Sequence, residues 1–197
     1  MSDRADLYIS ADIEADGSIP GPYSMLSFGL AVAGRFDGAV FEARNLEEQT
    51  FYRELRPISS EFDSKALQIS DLDRDELLRD GEDPVEAMSD AAVWVREQAA
   101  DDRAVLVAFP ASFDWLFLYW YFVRYSKDGS PFDFSSCLDI KTIFQQRAGV
   151  VLDRAGLGDL PPAMKSDRPH THNALDDAIE QGEIFQRLWA WQPRTDR

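Results

Sequence analysis

The sequence predicts an α/β domain, a mixed sheet with helices on its faces, and three observations carry that reading. Strand-like segments dominate the chain up to Leu55. The short segment Ala104 to Phe109 is wholly apolar, as in a strand buried on both faces. The closing stretch, Asn173 to Trp191, has the apolar spacing of an amphipathic helix. Strands first, then strands mixed with helices, is the order that builds a helix-flanked sheet. A chain of 197 residues suits one domain, 1–197, with its core between about 6 and 191.

Leu7 to Glu14 reads as the first strand. Leu7, Ile9, Ala11 and Ile13 point to one face; Tyr8, Ser10, Asp12 and Glu14 point to the other. Met25 to Ala33 is a second strand, and Gly34 to Gly38 carries turn residues. Ala39 to Ala43 and Thr50 to Leu55 add a further strand or two before Pro57, giving three antiparallel strands in succession. Asp83-Pro84 opens a helix to about Ala100, with Pro84 suited to the first turn and Val85, Met88, Ala91, Ala92 and Val95 at helical spacing. Pro110 ends the apolar strand Ala104 to Phe109, and a helix from Ser112 to Tyr125 follows. After Gly129-Ser130-Pro131 comes a short connection, then a helix from Ile140 to Ala148. Val150 to His170 reads as loop with a short helix, and His170 as loop surface. In the last helix Leu175, Ala178, Ile179, Gly182, Phe185, Leu188 and Trp189 form one apolar face. The tail after Gln192 is expected to fray.

Composition limits the function. Hydrophobic residues at 45% and charged residues at 28% are globular values, which argues against disorder or a coiled coil. The formal net charge is −16, from 20 basic and 36 acidic side chains, and no Lys/Arg-rich run occurs. Long nucleic acid is bound largely by neutralising phosphates, so tight non-specific duplex binding is not expected. Short oligonucleotides, chain ends and divalent cations bridging carboxylate to phosphate remain compatible. The first residues have no signal-peptide pattern. The longest apolar run, Trp115 to Val123, falls short of the roughly 20 residues of a spanning helix, so no membrane partner is expected. The one cysteine, Cys137, reads as packing, and a reducing cytoplasm is the expected location.

Asp12 and Glu14, two apart in a strand, share a face, and paired anions repel unless a proton or a cation lies between them. A hard divalent cation, Mg²⁺ or Mn²⁺, would resolve that conflict; an exposed strand end with two solvated acids is the alternative. Asp114 falls in the first turn of the helix after the buried strand, where an acid is favourable in itself, and where it could also approach Asp12. On the last helix Asp176 points to solvent, whereas Asp177 borders the apolar face. Ala174, Ala178 and Gly182 would let that helix lie close to the sheet. His172, just before it, is either a general base beside a metal site or a histidine packing at a helix start. Asp139, in the connection after the apolar strand, is read as a structural hydrogen-bonding acid.

Three motifs in order, Asp12-Ile13-Glu14, Phe113-Asp114 and His172-Asn173-Ala174-Leu175-Asp176-Asp177-Ala178, resemble those of the DEDDh-type 3′→5′ exonucleases, the group of ribonuclease T, oligoribonuclease and polymerase proofreading exonucleases. The resemblance implies a ribonuclease H-like fold with a five-stranded mixed sheet. It also implies two-metal hydrolysis from the 3′ end of single-stranded RNA or DNA, releasing nucleoside 5′-monophosphates. Asp12 would touch both cations, Glu14 and Asp177 would complete one site, Asp114 would support the other, and His172 would take the proton from water. Ala15, Leu67 and Phe113 become candidates for contacting the terminal nucleotides, with core packing as the alternative for Leu67 and Phe113. The chain departs from the pattern at Phe109-Pro110, where many members carry His-Asn, and at Leu67-Gln68-Ile69, where His-Gly-Ile is usual. Ala15 to Pro22 forms an extra loop beside the site.

Within that group the expectation is a free-standing exoribonuclease acting on short or single-stranded RNA ends. The alternatives are a single-stranded DNA exonuclease of proofreading type, a catalytically inactive adaptor, and an acidic interaction protein whose motif residues do not converge. The helix Trp115 to Tyr125 is apolar nearly all round, which leads us to expect a homodimer.

Overall fold

The computed structural model describes residues 4–70 and 72–191; the tail after Gln192 lies outside the described residues. β1 (Asp6–Ala15) is the central strand. It pairs antiparallel with β2 (Met25–Phe36) from Asp6↔Phe36 to Ala15↔Met25. The far edge of β2 is shared by two short antiparallel strands, β3 (Phe41–Ala43) and β4 (Thr50–Glu54). On its other side β1 runs parallel to β5 (Arg103–Ala108), which in turn pairs with β6 (Cys137–Asp139). The order is β3-β2-β1-β5-β6, with β4 also beside β2. Five positions across the sheet thus hold six strands, because β3 and β4 take successive lengths of one edge.

The helices are α1 (Ser64–Ser70), α2 (Arg74–Asp80), α3 (Pro84–Ala99), α4 (Ala111–Tyr125), α5 (Ile140–Ala148) and α6 (Ala174–Ala190). Alternation in β1 divides the core as the sequence predicts. Leu7, Ile9, Ala11 and Ile13 face Met88, Ala91, Val95, Phe117 and Tyr121 of α3 and α4. Tyr8 faces Ile179, Phe185 and Leu188 of α6 and Phe144 of α5. No helix among the described residues is long and apolar enough to cross a membrane.

α6 lies almost on the sheet, as its small residues predict. A side chain at Gly29 of β2 would strike the Ala174 carbonyl and the Leu175 Cα, and one at Gly182 would strike Leu46. Glycine here serves close approach, of backbone to backbone at Gly29 and of backbone to side chain at Gly182, rather than a turn. Segment 150–170 contains two single 3₁₀ turns, Leu152–Arg154 and Leu157–Asp159.

Three elements escape the sequence reading. β6 is only three residues long, too short for a period to register. α1 and α2 are seven residues each, fewer than two apolar repeats. For α2 a signal exists, since Asp73 caps the amides of Asp75 and Glu76.

Candidate active site

β1 outruns β5. The parallel pairing ends at Ser10↔Val107, so the Asp12–Glu14 end of β1 projects past its neighbour. A strand amide there needs another acceptor, and Asp114 supplies it: Ile13 N–H donates to Asp114 Oδ1 at 3.2 Å. The first turn of α4 is thereby tied against the first motif, and Asp114 is buried beside Asp12 and Glu14.

α6 delivers the third motif. Asn173 caps it, accepting from the Leu175 and Asp176 amides at 3.0 and 3.2 Å. Asp176 is exposed, as expected, and Asp177 is fully buried. Asp177 Oδ1 and Oδ2 accept from the amides of Thr171 and His172, both at 2.9 Å. That grip holds His172 at φ 57, a left-handed conformation that costs a non-glycine residue about 1 kcal/mol or more. His172 Nδ1 then lies 4.0 Å from Glu14 Oε1.

Ligand atoms of Asp12, Glu14 and Asp177 all lie within 4.8 Å of one another. The five motif residues, distant in sequence, are therefore gathered at one end of the sheet. Packing the carboxylates together shifts their protonation. Burial, then the neighbouring Asp114, Glu14 and Asp177, holds the Asp12 carboxyl well above the usual range. Burial, then Asp177 and Asp114, pushes Glu14 up to about 8. Burial also raises Asp114 to about 7, against the downward pull of the Ile13 amide. Among the described residues no lysine or arginine forms an ion pair with these acids; the neighbouring ring nitrogens are those of His170 and His172. A buried oxygen cluster with this much uncompensated charge fits a hard divalent cation.

Two further residues of α6 complete the site, and neither was expected. Gln181 is 2% exposed; its Oε1 accepts from Phe109 N–H at 2.6 Å and its Nε2 donates to Asp12 Oδ1 at 2.6 Å. Phe109 can only donate, so the amide orientation is fixed. The signal was its position four residues after Asp177, on the same helix face. Glu180 lies 2.9 Å from Nδ1 of His170. His170 is exposed in the loop before α6, as expected, and its Nδ1 also lies 3.3 Å from Asp177 Oδ1.

A cavity of about 280 Å³ opens beside the acids, lined by Glu14, Ala15, Gly17, Ser18, Asp63, Ala66, Ile69 and Phe113. Ala15 is buried at its back, and Phe113 is 37% exposed. Leu67 is half-buried on α1, whose Ala66 and Ile69 form the wall. Asp16 stabilises the neighbouring loop: it is fully buried, accepts from Ser24 N–H at 2.6 Å and pairs with Arg74 Nε at 2.9 Å. Asp139 has the structural role expected of it, accepting from the amides of Ala111 and Thr142, each at 3.1 Å. Cys137 is half-buried, and burial pushes its thiol up to about 12, which suits packing rather than nucleophilic chemistry.

Comparison with known proteins gives the same reading. Residues 38–189 match the family model of the Rv2179c-like 3'-5' exoribonuclease domain. The chain is 36% identical over 191 residues to the 3'-5' DNA exonuclease Cap18 of Escherichia coli, covering 95% of this chain and 94% of Cap18. Its fold is similar to the nuclease domain of 3'hExo, a DEDDh family member bound to rAMP (TM-score 0.67, 14% identity, 94% and 92% of the two chains). It is also similar to E. coli exonuclease I in complex with a dT13 oligonucleotide (TM-score 0.64, 15% identity), where 93% of this chain matches 40% of the larger protein. The ribonuclease H-like fold, the ordered motifs and the matched family together show that this chain belongs to the Rv2179c-like domain family of DEDDh 3′→5′ exonucleases.

Proposed function

We propose that the protein removes nucleotides one at a time from single-stranded 3′ ends, with RNA and DNA both as substrates, and releases nucleoside 5′-monophosphates. The observation that carries this reading is the convergence of Asp12, Glu14 and Asp177 within 4.8 Å, with His172 4.0 Å from Glu14. Two divalent cations, Mg²⁺ or Mn²⁺, would be held by Asp12 with Glu14 and Asp177, and by Asp12 with Asp114. When bound, they supply Lewis-acid activation of water and stabilise charge on the scissile phosphate.

The side chains do the rest. His172, with its side chain 45% exposed, accepts the proton of the attacking water. Gln181 holds Asp12 in one orientation. Phe113, Ile69 and Ala66 give the cavity an apolar wall against which a terminal base stacks whatever its sugar. Ala15, which lines that cavity, and Leu67, half-buried on α1, are the further candidates for contacting the terminal nucleotides. Family and relative differ in their named substrate, one an exoribonuclease and the other a DNA exonuclease, which favours a site that tolerates both sugars. The protein acts in the cytoplasm as a homodimer, in which the outer face of α4 is covered by a second copy.

The test of substrate class is hydrolysis of equal-sequence single-stranded RNA and DNA under the same conditions. The proposal predicts kcat/KM values within about tenfold, roughly 1.4 kcal/mol in transition-state binding. A preference of more than about a hundredfold for either would assign the enzyme to that sugar alone.

A further inference from the structure

Beside the all-oxygen cluster lies a second group of different chemistry. Ligand atoms of His170, His172 and Asp177 also lie within 4.8 Å of one another. We propose that these three residues form a separate site for a borderline transition cation of the zinc type, and that its occupancy switches the nuclease off. The inhibitory consequence rests on the function proposed above; the site itself does not.

Distances favour such an ion. His170 Nδ1 stands 3.3 Å from Asp177 Oδ1. Two ligands on a tetrahedral zinc, with bonds of about 2.0–2.1 Å, are themselves about 3.3 Å apart. The same nitrogen is 2.9 Å from Glu180 Oε2, a hydrogen bond that an ion at this site would replace. The His172 ring must turn inward to close the set. It is free to do so, being 45% exposed and in edge contact with the His170 ring at 4.7 Å between centroids. The backbone needs no change, because the amides of Thr171 and His172 already donate to Asp177 and wrap the segment around its carboxylate.

Donor type separates the two clusters. Asp12, Glu14 and Asp177 offer oxygen only, which suits Mg²⁺ and Mn²⁺. Two imidazoles with a carboxylate suit Zn²⁺, and nitrogen donors widen its advantage over harder ions. Asp177 belongs to both sets, and His172 is the proposed base. A zinc-type ion in the second site therefore takes a ligand from the first and the proton acceptor from the reaction.

The test is direct. Zn²⁺ is titrated into the full chain with a chromophoric chelator as competitor and Mg²⁺ in excess, using wild type, His170→Ala and Asp12→Ala. Circular dichroism confirms that each variant is folded. The proposal predicts tight Zn²⁺ binding by wild type, at least about tenfold weaker binding by His170→Ala, and retained binding by Asp12→Ala. It also predicts that Zn²⁺ inhibits Mg²⁺-supported hydrolysis, and that His170→Ala needs at least about tenfold more Zn²⁺ relative to its own activity without zinc. Equal Zn²⁺ affinity in wild type and His170→Ala, or loss of binding in Asp12→Ala, overturns the site. Because binding is read without substrate, a failure of the nuclease reading and a failure of the zinc site give different results.

Discussion

Asp12 carries one hydrogen bond, from Gln181, amid three other carboxylates. Truncating Gln181 to leucine would keep its volume, orphan the buried Phe109 amide and leave Asp12 free to turn. Losing such a supporting contact typically costs about 10–100-fold in metal affinity, and the orphaned amide about 1–3 kcal/mol. Calorimetric Mn²⁺ titration and thermal melting of Gln181→Leu would measure both. The raised carboxyls also set the pH response. Folded Asp12, Glu14 and Asp114 keep protons that the unfolded chain releases near pH 4, so the metal-free fold gains stability from them at low pH. That gain is lost as pH rises through about 7 and 8. Asp102, held below the usual range by Arg35, acts only at lower pH. A cation must displace the same protons, so its affinity rises over that window. In chelator the melting midpoint should be higher near about pH 6 than about pH 8.5, and saturating Mn²⁺ should reduce or reverse the difference. A midpoint that rises with pH in chelator would contradict the burial assigned to these acids. At this scale the motif acids were legible because each carries a clear local pattern. Gln181, Glu180 and Arg74 were not, because their partners Asp12, His170 and Asp16 lie on other elements or in the loop before α6, where no local pattern marks them.

The elements that place the site are α6, the β1–β2 pair and the loop that Arg74 secures. Three long elements were readable to within a residue or two: β1 by strict alternation, α6 by its apolar face, α3 by Asp83-Pro84, whose carboxylate caps Val85; β2 runs on to Phe36, three residues into the expected turn, because Gly34 is held in pairing with Ala43. α1, α2 and β6 were not, because each is too short to display a period. The cavity wall lies on α1, where the resemblance pointed to Leu67 but no helical period was legible to show that Ala66 and Ile69 face the cavity. Arg74 is the handle on it. Its guanidinium pairs with buried Asp16, donates to the Ser59 carbonyl and covers the Phe62 ring. Arg74→Met leaves the Asp16 charge uncompensated, for which the expected loss is about 3–5 kcal/mol. Urea unfolding measures it, and a loss under about 1 kcal/mol would mean that the pair is dispensable.

For the whole molecule two surface features matter. The charge of −16 disfavours long duplex and, on the function proposed above, would leave phosphate recognition to cations at the site rather than to a basic groove. The second feature is α4, whose outer face presents Trp115, Leu116, Tyr119, Trp120 and Val123 around a groove of about 240 Å³. Leu116 is 42% and Val123 59% exposed, an arrangement that fits a covered face in a homodimer. Sedimentation equilibrium should give a dimer for the wild type and a monomer for Val123→Asp; a wild-type monomer at micromolar concentration would contradict it. The fold itself was legible because three antiparallel strands, a buried parallel strand and a closing helix leave few ways to form a sheet. The division of the β2 edge between β3 and β4 was not, since pairing partners leave no mark in a single strand's own pattern.

The central claim is that the clustered acids make this chain a metal-dependent 3′→5′ exonuclease. A time course on 5′-labelled single-stranded oligonucleotide, with Mg²⁺ or Mn²⁺ and with chelator, tests it most directly when wild type and Asp12→Ala run side by side. The account predicts a ladder shortening from the 3′ end, stopped by chelator and absent in a folded Asp12→Ala. Shortening that persists in chelator, or in Asp12→Ala, would contradict it.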